Sequence, residues 1–165
     1  MLKRVGCRVR SKRWTRGAGV VEFALVAPLF LFVVFGLVDL GRATMLYNSV
    51  ASAAHEGARF GMVLRDASWG TNFASAGNGN SAGTYGPNIT AYLAAGYENT
   101  IVGQVARRAG ALDLTRTSVT IAVSTKPDRG DELTVTVGQA FSPIAGSFLG
   151  IGPITVSASS TVLLE

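Results

Sequence analysis

A run of 21 residues, Ala18 to Val38, contains a single charged side chain, Glu22. As a helix it would be about 32 Å long at ~1.5 Å per residue, close to the roughly 30 Å hydrocarbon core of a bilayer. Its hydrophobicity follows no stripe but surrounds the helix, which suits a membrane span or a fully buried helix rather than an amphipathic one. Seven basic residues and no acid precede it: Lys3, Arg4, Arg8, Arg10, Lys12, Arg13 and Arg16. The chain as a whole carries +5, yet after residue 17 ten acidic residues outnumber eight basic ones, a net −2. A basic flank of this kind keeps the N-terminus in the cytoplasm. The expected organisation is a basic cytoplasmic leader over 1–17, a transmembrane helix over 18–38 and an extracytoplasmic domain over 39–165. A cleaved secretory signal shares the basic start and apolar run. The run is long for that role, however, and Val38-Asp39-Leu40-Gly41-Arg42 is a poor small-x-small cleavage site.

Glu22 does not fit a plain anchor. An acidic side chain at the bilayer centre costs roughly 2.5–3.5 kcal/mol on insertion scales, and less near an interface. Glu22 lies about one turn inside the cytoplasmic edge. A cut after Gly17 would give Ala18 a free ammonium four residues from Glu22, on the same helix face. The two charges would then neutralise each other within a chain or between packed neighbours. The plainer alternative is a tolerated interfacial carboxylate.

A basic leader ending in Gly17, the four small or apolar residues Ala18-Gly19-Val20-Val21, then Glu22-Phe23 and an apolar helix together resemble a type IV prepilin signal. The chain resembles more closely the TadE-like family of the tight-adherence (Flp) pilus system. The likeness lies in residues 19–28, in Gly36-Leu37-Val38-Asp39-Leu40-Gly41-Arg42, and in the small-residue run from Ala51 to Gly61. It is strongest over 16–65 and weaker over 115–165, where a strand leads into Phe141-Ser142-Pro143 and a last strand. The resemblance implies a minor pilin or pseudopilin, with a prepilin peptidase cutting between Gly17 and Ala18. It implies that Gly17 suits a peptidase pocket that admits no side chain. Glu22 would assist docking against neighbouring subunits, and Phe23 would hold the aromatic position after it. The implied partners are the peptidase, other pilins including a second minor pilin, the inner-membrane assembly machinery and the bilayer. A 127-residue part beyond the membrane argues against a short major pilin.

Past the membrane the helical pattern continues. Leu46, Val50, Ala53, Gly57 and Gly61 recur at spacings of 4, 3, 4 and 4. Ala53, Gly57 and Gly61 form a small-residue packing face that admits another backbone closely. It packs either on the protein's own sheet or on a partner pilin. Residues 68–88, rich in glycine and asparagine, read as a loop. Ile89, Tyr92 and Leu93 suit a short helix, and Asn99 is expected to cap a second one through Ala109. The last fifty residues switch to period two: Val119, Ile121 and Val123; Leu133, Val135 and Val137; Ile154, Val156, Ala158 and Val162. The Lys126–Asp131 segment is a turn by composition. The expected fold is α+β and pilin-like, a long N-terminal helix packed on a small three-stranded antiparallel sheet.

Catalytic chemistry finds little support. Cys7 is the only cysteine and His55 the only histidine. There is no HExxH and no phosphate-binding glycine loop. The Asp128, Asp131 and Glu132 cluster sits at a turn, where a solvated loop is the ordinary reading. No enzyme, metal, cofactor or nucleic-acid role is expected. Two functional readings remain open: a minor pilin subunit that loses its leader, and an unprocessed, signal-anchored envelope binding module outside any pilus.

Overall fold

The computed structural model describes residues 15–64, 80, 82–93, 97, 99–110, 112–123, 130–148 and 150–164. The leader up to Trp14, with Cys7 and every basic residue but Arg16, and most of the 68–88 loop and the 126–131 turn lie outside the described residues.

One helix, α1, runs unbroken from Thr15 to Val63, 49 residues that include Pro28. At ~1.5 Å per residue it is roughly 73 Å long. Its two halves face different surroundings. The most apolar window, with mean hydropathy 2.5, has none of its residues buried. The buried-core-helix reading of residues 18–38 is thereby excluded within this chain. This is the one described helix long and apolar enough to cross a membrane. Past Asp39 the helix becomes part of the core: Val50, Ala53, Ala54 and Ala58 are fully or almost fully buried.

The sheet that covers this outer half has four strands, not the three expected. They are β1 (Gly83–Tyr85), β2 (Thr117–Ala122), β3 (Glu132–Phe141) and β4 (Ile154–Leu163), in the order β1-β2-β3-β4 and antiparallel throughout. The additional strand, β1, pairs Tyr85 with Val119 inside the segment read as a loop. Three residues are too few to display a period of two, so this strand has no sequence signature of its own. The longer strands follow their alternation. Val119 lies opposite Val137 and Ile121 opposite Val135, and all four point into the core with Leu133. Complete burial of each such side chain contributes about 1.5–3 kcal/mol. The outer face is threonine and serine, with hydroxyl pairs Thr84–Thr120 at 3.1 Å and Thr134–Thr161 at 2.8 Å.

A second helix, α2 (Ile101–Arg108), closes the core beside α1. Its cap is Thr100 rather than the expected Asn99. The Thr100 hydroxyl accepts from the Gly103 amide at 3.0 Å, and Asn80, arriving from the preceding loop, accepts from the Ile101 amide at 2.8 Å. A third, short helix, α3 (Ile144–Phe148), lies in the β3–β4 connection.

The face Ala53, Gly57, Gly61 is filled by this chain's own side chains. A methyl group on Gly57 would come within 2.6 Å of a Val105 methyl and 3.2 Å of Val135; one on Gly61 would strike Leu133. The helix therefore sacrifices side chains so that α2 and β3 can approach it. Gly41 sits in the same helix with nothing within 4 Å of the equivalent position. Gly57→Ala is expected to destabilise the protein, because overpacking costs about 1–3 kcal/mol and Val105 is stiff at its branch point. Gly41→Ala is expected to be neutral or to stabilise by up to about 1 kcal/mol through helix propensity. Thermal unfolding of the detergent-solubilised chain checks both, and an equal response at the two sites would contradict the packing argument.

Candidate functional site

The functional residues fall into two groups along α1. The first is at its N-terminal end. Gly17, Ala18, Glu22 and Phe23 all lie on the first turns of the helix and all are exposed. Phe23 has 72% of its surface free. Among the described residues no cation pairs with Glu22. Nothing stands within 4 Å of the position a side chain at Gly17 would occupy. The described residues thus make no demand for glycine there, although glycine costs a helix interior roughly 1 kcal/mol relative to alanine.

The second group lies where the apolar run ends, and sequence reasoning assigned it no role. Asp39 follows the last residue of the run and is 7% exposed. Its Oδ2 accepts from the Ala145 amide at 2.7 Å, tying α1 to the start of α3 across 106 positions of sequence. The Ile144 amide, more than any other group, holds the Asp39 carboxyl below its usual 3.8; burial opposes this, and the Ala145 amide and Arg42 reinforce it. Arg42, one turn on, approaches Oδ1 at 3.5 Å and lies 5.4 Å from the centre of the Phe141 ring. Charge-assisted bonds from a carboxylate to backbone amides are stronger than neutral ones. Four residues before Asp39, the Phe35 ring stacks on Phe148 of α3, 6.2 Å between centres and 8° from parallel.

One face of this latch is apolar. Pro28, Leu31, Phe32, Phe35 and Phe148 line a groove of about 300 Å³. Above it, on the side of the sheet, a cavity of about 330 Å³ lies between Arg42, Leu46, Asp113, Arg116, Gln139 and Phe141. His55 is not part of either. Its Nδ1 lies 2.9 Å from the Ser160 hydroxyl, fastening α1 to β4. The signal that pointed to the latch was present in sequence: an acid placed directly after an apolar run, with a base three residues later. The partner amides, more than a hundred residues away, carried no signal.

Removal of the latch has an expected consequence. Asp39→Asn loses the ion pair and the strongest acceptor, so the unfolding temperature falls. Because the folded carboxyl titrates below 3.8, its contribution is present at neutral pH and disappears as the pH falls from 3.8 through the lower folded value. The difference in unfolding temperature between the two chains is therefore expected at neutral pH and should vanish in strong acid. A difference independent of pH would mean that the charge contributes nothing.

Residues 17–59 match the family model described as TadE, TadE-like protein. The weaker likeness over 115–165 falls outside the matched residues. No curated protein and no solved structure matches the chain. The matched stretch begins at Gly17, takes in Glu22, Phe23, Asp39 and Arg42, and ends in the small-residue packing face, so the chain carries a TadE-like family domain at residues 17–59.

Proposed function

We propose that this chain is a minor pilin or pseudopilin of a Tad/Flp-type type IV pilus system, made as a precursor and trimmed by a prepilin peptidase between Gly17 and Ala18. It is held in the bacterial inner membrane by residues 18–38, with its N-terminus in the cytoplasm before cleavage and its α+β domain outside. It works as a structural subunit and carries out no catalysis. Its partners are the peptidase, other pilins including a second minor pilin, and the membrane-embedded assembly machinery.

One observation carries this reading. The family match begins at Gly17, the glycine that closes the basic leader five residues before Glu22. A protease pocket closed to side chains would account for a glycine at that place. Glu22 supports the same reading. A carboxylate on an apolar helix that pairs with no cation among the described residues is costly in lipid, and the new ammonium of Ala18 would supply a charge one turn away.

The test separates this subunit from an envelope module that keeps its leader. N-terminal sequencing of protein from native membranes is expected to begin at Ala18, and Gly17→Leu is expected to accumulate at precursor mass. Glu22→Gln is expected to be trimmed normally but to lose crosslinks to other pilus-system proteins. A chain that begins at Met1, with no mass change in the Gly17 variant, would establish the unprocessed anchor instead.

A further inference from the structure

We infer that the β3–β4 connection is a second membrane contact: α3 and Ile151 form an apolar wedge, seated in the outer leaflet beside α1. The inference rests on residues 18–38 crossing the bilayer, as proposed above.

Depth along α1 carries the argument. Two bonds fix α3 to the helix at different levels. Ala145 is held at Asp39, directly beyond the end of the apolar run, and Phe148 is stacked on Phe35. Phe35 lies about 4.5 Å inside Val38 at ~1.5 Å per residue. The path from Ala145 to Phe148 therefore descends from the edge of the hydrocarbon into it. Leu31 and Phe32, deeper still along the same face, line one groove with the Phe148 ring. Interfacial segments bury their apolar side by about 5–10 Å, and this depth matches.

The chemistry of the segment suits that environment. No charged side chain occurs from residue 133 to 164. Phe148 is 75% exposed and Ile151 51%, with Ile144 also free. In water these side chains would gain nothing from their position at the lower rim of the domain. Backbone polar groups in lipid need internal partners, and the wedge supplies them. The Ile144 and Ala145 amides turn to Asp39, the Ser147 amide donates to Pro143, and the Ile151 amide donates to Gly146 at 2.9 Å. The occupant of the groove beneath Phe148 is accordingly an acyl chain of the surrounding lipid.

Tryptophan quenching tests this on the full chain. Trp14→Phe and Trp69→Phe remove the native indoles, and single reporters are placed by Phe148→Trp, Leu31→Trp and Glu132→Trp. Each protein is reconstituted at high lipid-to-protein ratio into phosphatidylethanolamine–phosphatidylglycerol vesicles. Acyl chains brominated near the glycerol end quench from the lipid, and iodide quenches from the water on both sides. The Phe148→Trp reporter is expected to emit further to the blue than Glu132→Trp. It should lose emission to brominated lipid about as strongly as Leu31→Trp, and to iodide several-fold less than Glu132→Trp. Ile151→Trp, which keeps the Phe35–Phe148 stack, is expected to behave alike.

If both wedge reporters are open to iodide while Leu31→Trp is quenched by lipid, the wedge is wrong and the anchor stands. If Leu31→Trp is itself open to iodide, the anchor reading fails and the wedge with it. If protection at the wedge appears only when chains are crowded, a second copy occupies the groove and the lipid assignment is overturned.

Discussion

A single helix has to satisfy two solvents, and the rest of the molecule is arranged around the point where one gives way to the other. Up to Val38 the side chains of α1 are large, apolar and exposed on every side, with Leu25 at 78% and Phe23 at 72%. Contiguous apolar surface of that extent does not persist in water. From Val50 onward the same helix presents valine, alanine and glycine to a sheet. Between these regimes stands Asp39, buried and bonded through Oδ2 to the Ala145 amide. Pro28 interrupts neither half: α1 continues through it, as helices in lipid commonly do where surroundings accommodate the lost bond.

The sheet is held to this rod at two heights. At the upper one, Gly57 and Gly61 remove side chains so that Val105, Val135 and Leu133 can approach the helix. At the lower one, Asp39 binds α3. Asp39 and Gly57 are about 27 Å apart along the axis at ~1.5 Å per residue. The His55–Ser160 contact lies between them. Grips this far apart resist rocking of the sheet far better than a single patch of contact. A small four-stranded meander, with one face of threonine and serine, becomes rigid relative to the membrane because the helix is rigid and is seized twice.

Much of this was legible in the sequence, and the parts that were not share a cause. The three long strands showed their period because each spans six to ten residues whose two faces differ in burial, buried against half-buried or exposed in β2 and most of β3, and half-buried against exposed in most of β4. Strand β1 did not, since Gly83-Thr84-Tyr85 is too short to have a period and owes its pairing to β2. The stripe Ala53, Gly57, Gly61 announced a close approach, but a stripe does not name what approaches; α2 and β3 proved to fill it. Thr100 displaced Asn99 as the cap because either side chain suits the role, and only the path of the preceding chain decides. Asp39 was visible as the end of a run, while its function depends on amides far along the chain. Local chemistry was readable, and choices settled by distant partners were not.

The latch and the apolar rim are best understood as one device. A carboxylate at the edge of a bilayer is tolerable when its charge is held: Asp39 Oδ2 accepts from the Ala145 amide, the Ile144 amide also favours the charged form, and Arg42 stands 3.5 Å from Oδ1, which accepts no hydrogen bond among the described residues. Backbone at the same depth is tolerable when its amides are occupied, and α3 has the carboxylate. Each removes the cost that the other would incur alone. The acid and the Phe148 ring sit at the two ends of the same short helix, one holding it at the edge of the apolar run and the other stacked on Phe35 inside it. The pairing sets the height of the sheet above the lipid. Arg42 and Arg116 line the cavity on the water side of the latch, and the uncharged connection lies below it. Polar groups above and apolar groups below oppose displacement in both directions, so the domain keeps one depth and one orientation on its anchor, as a subunit must if its neighbours are to meet it in register.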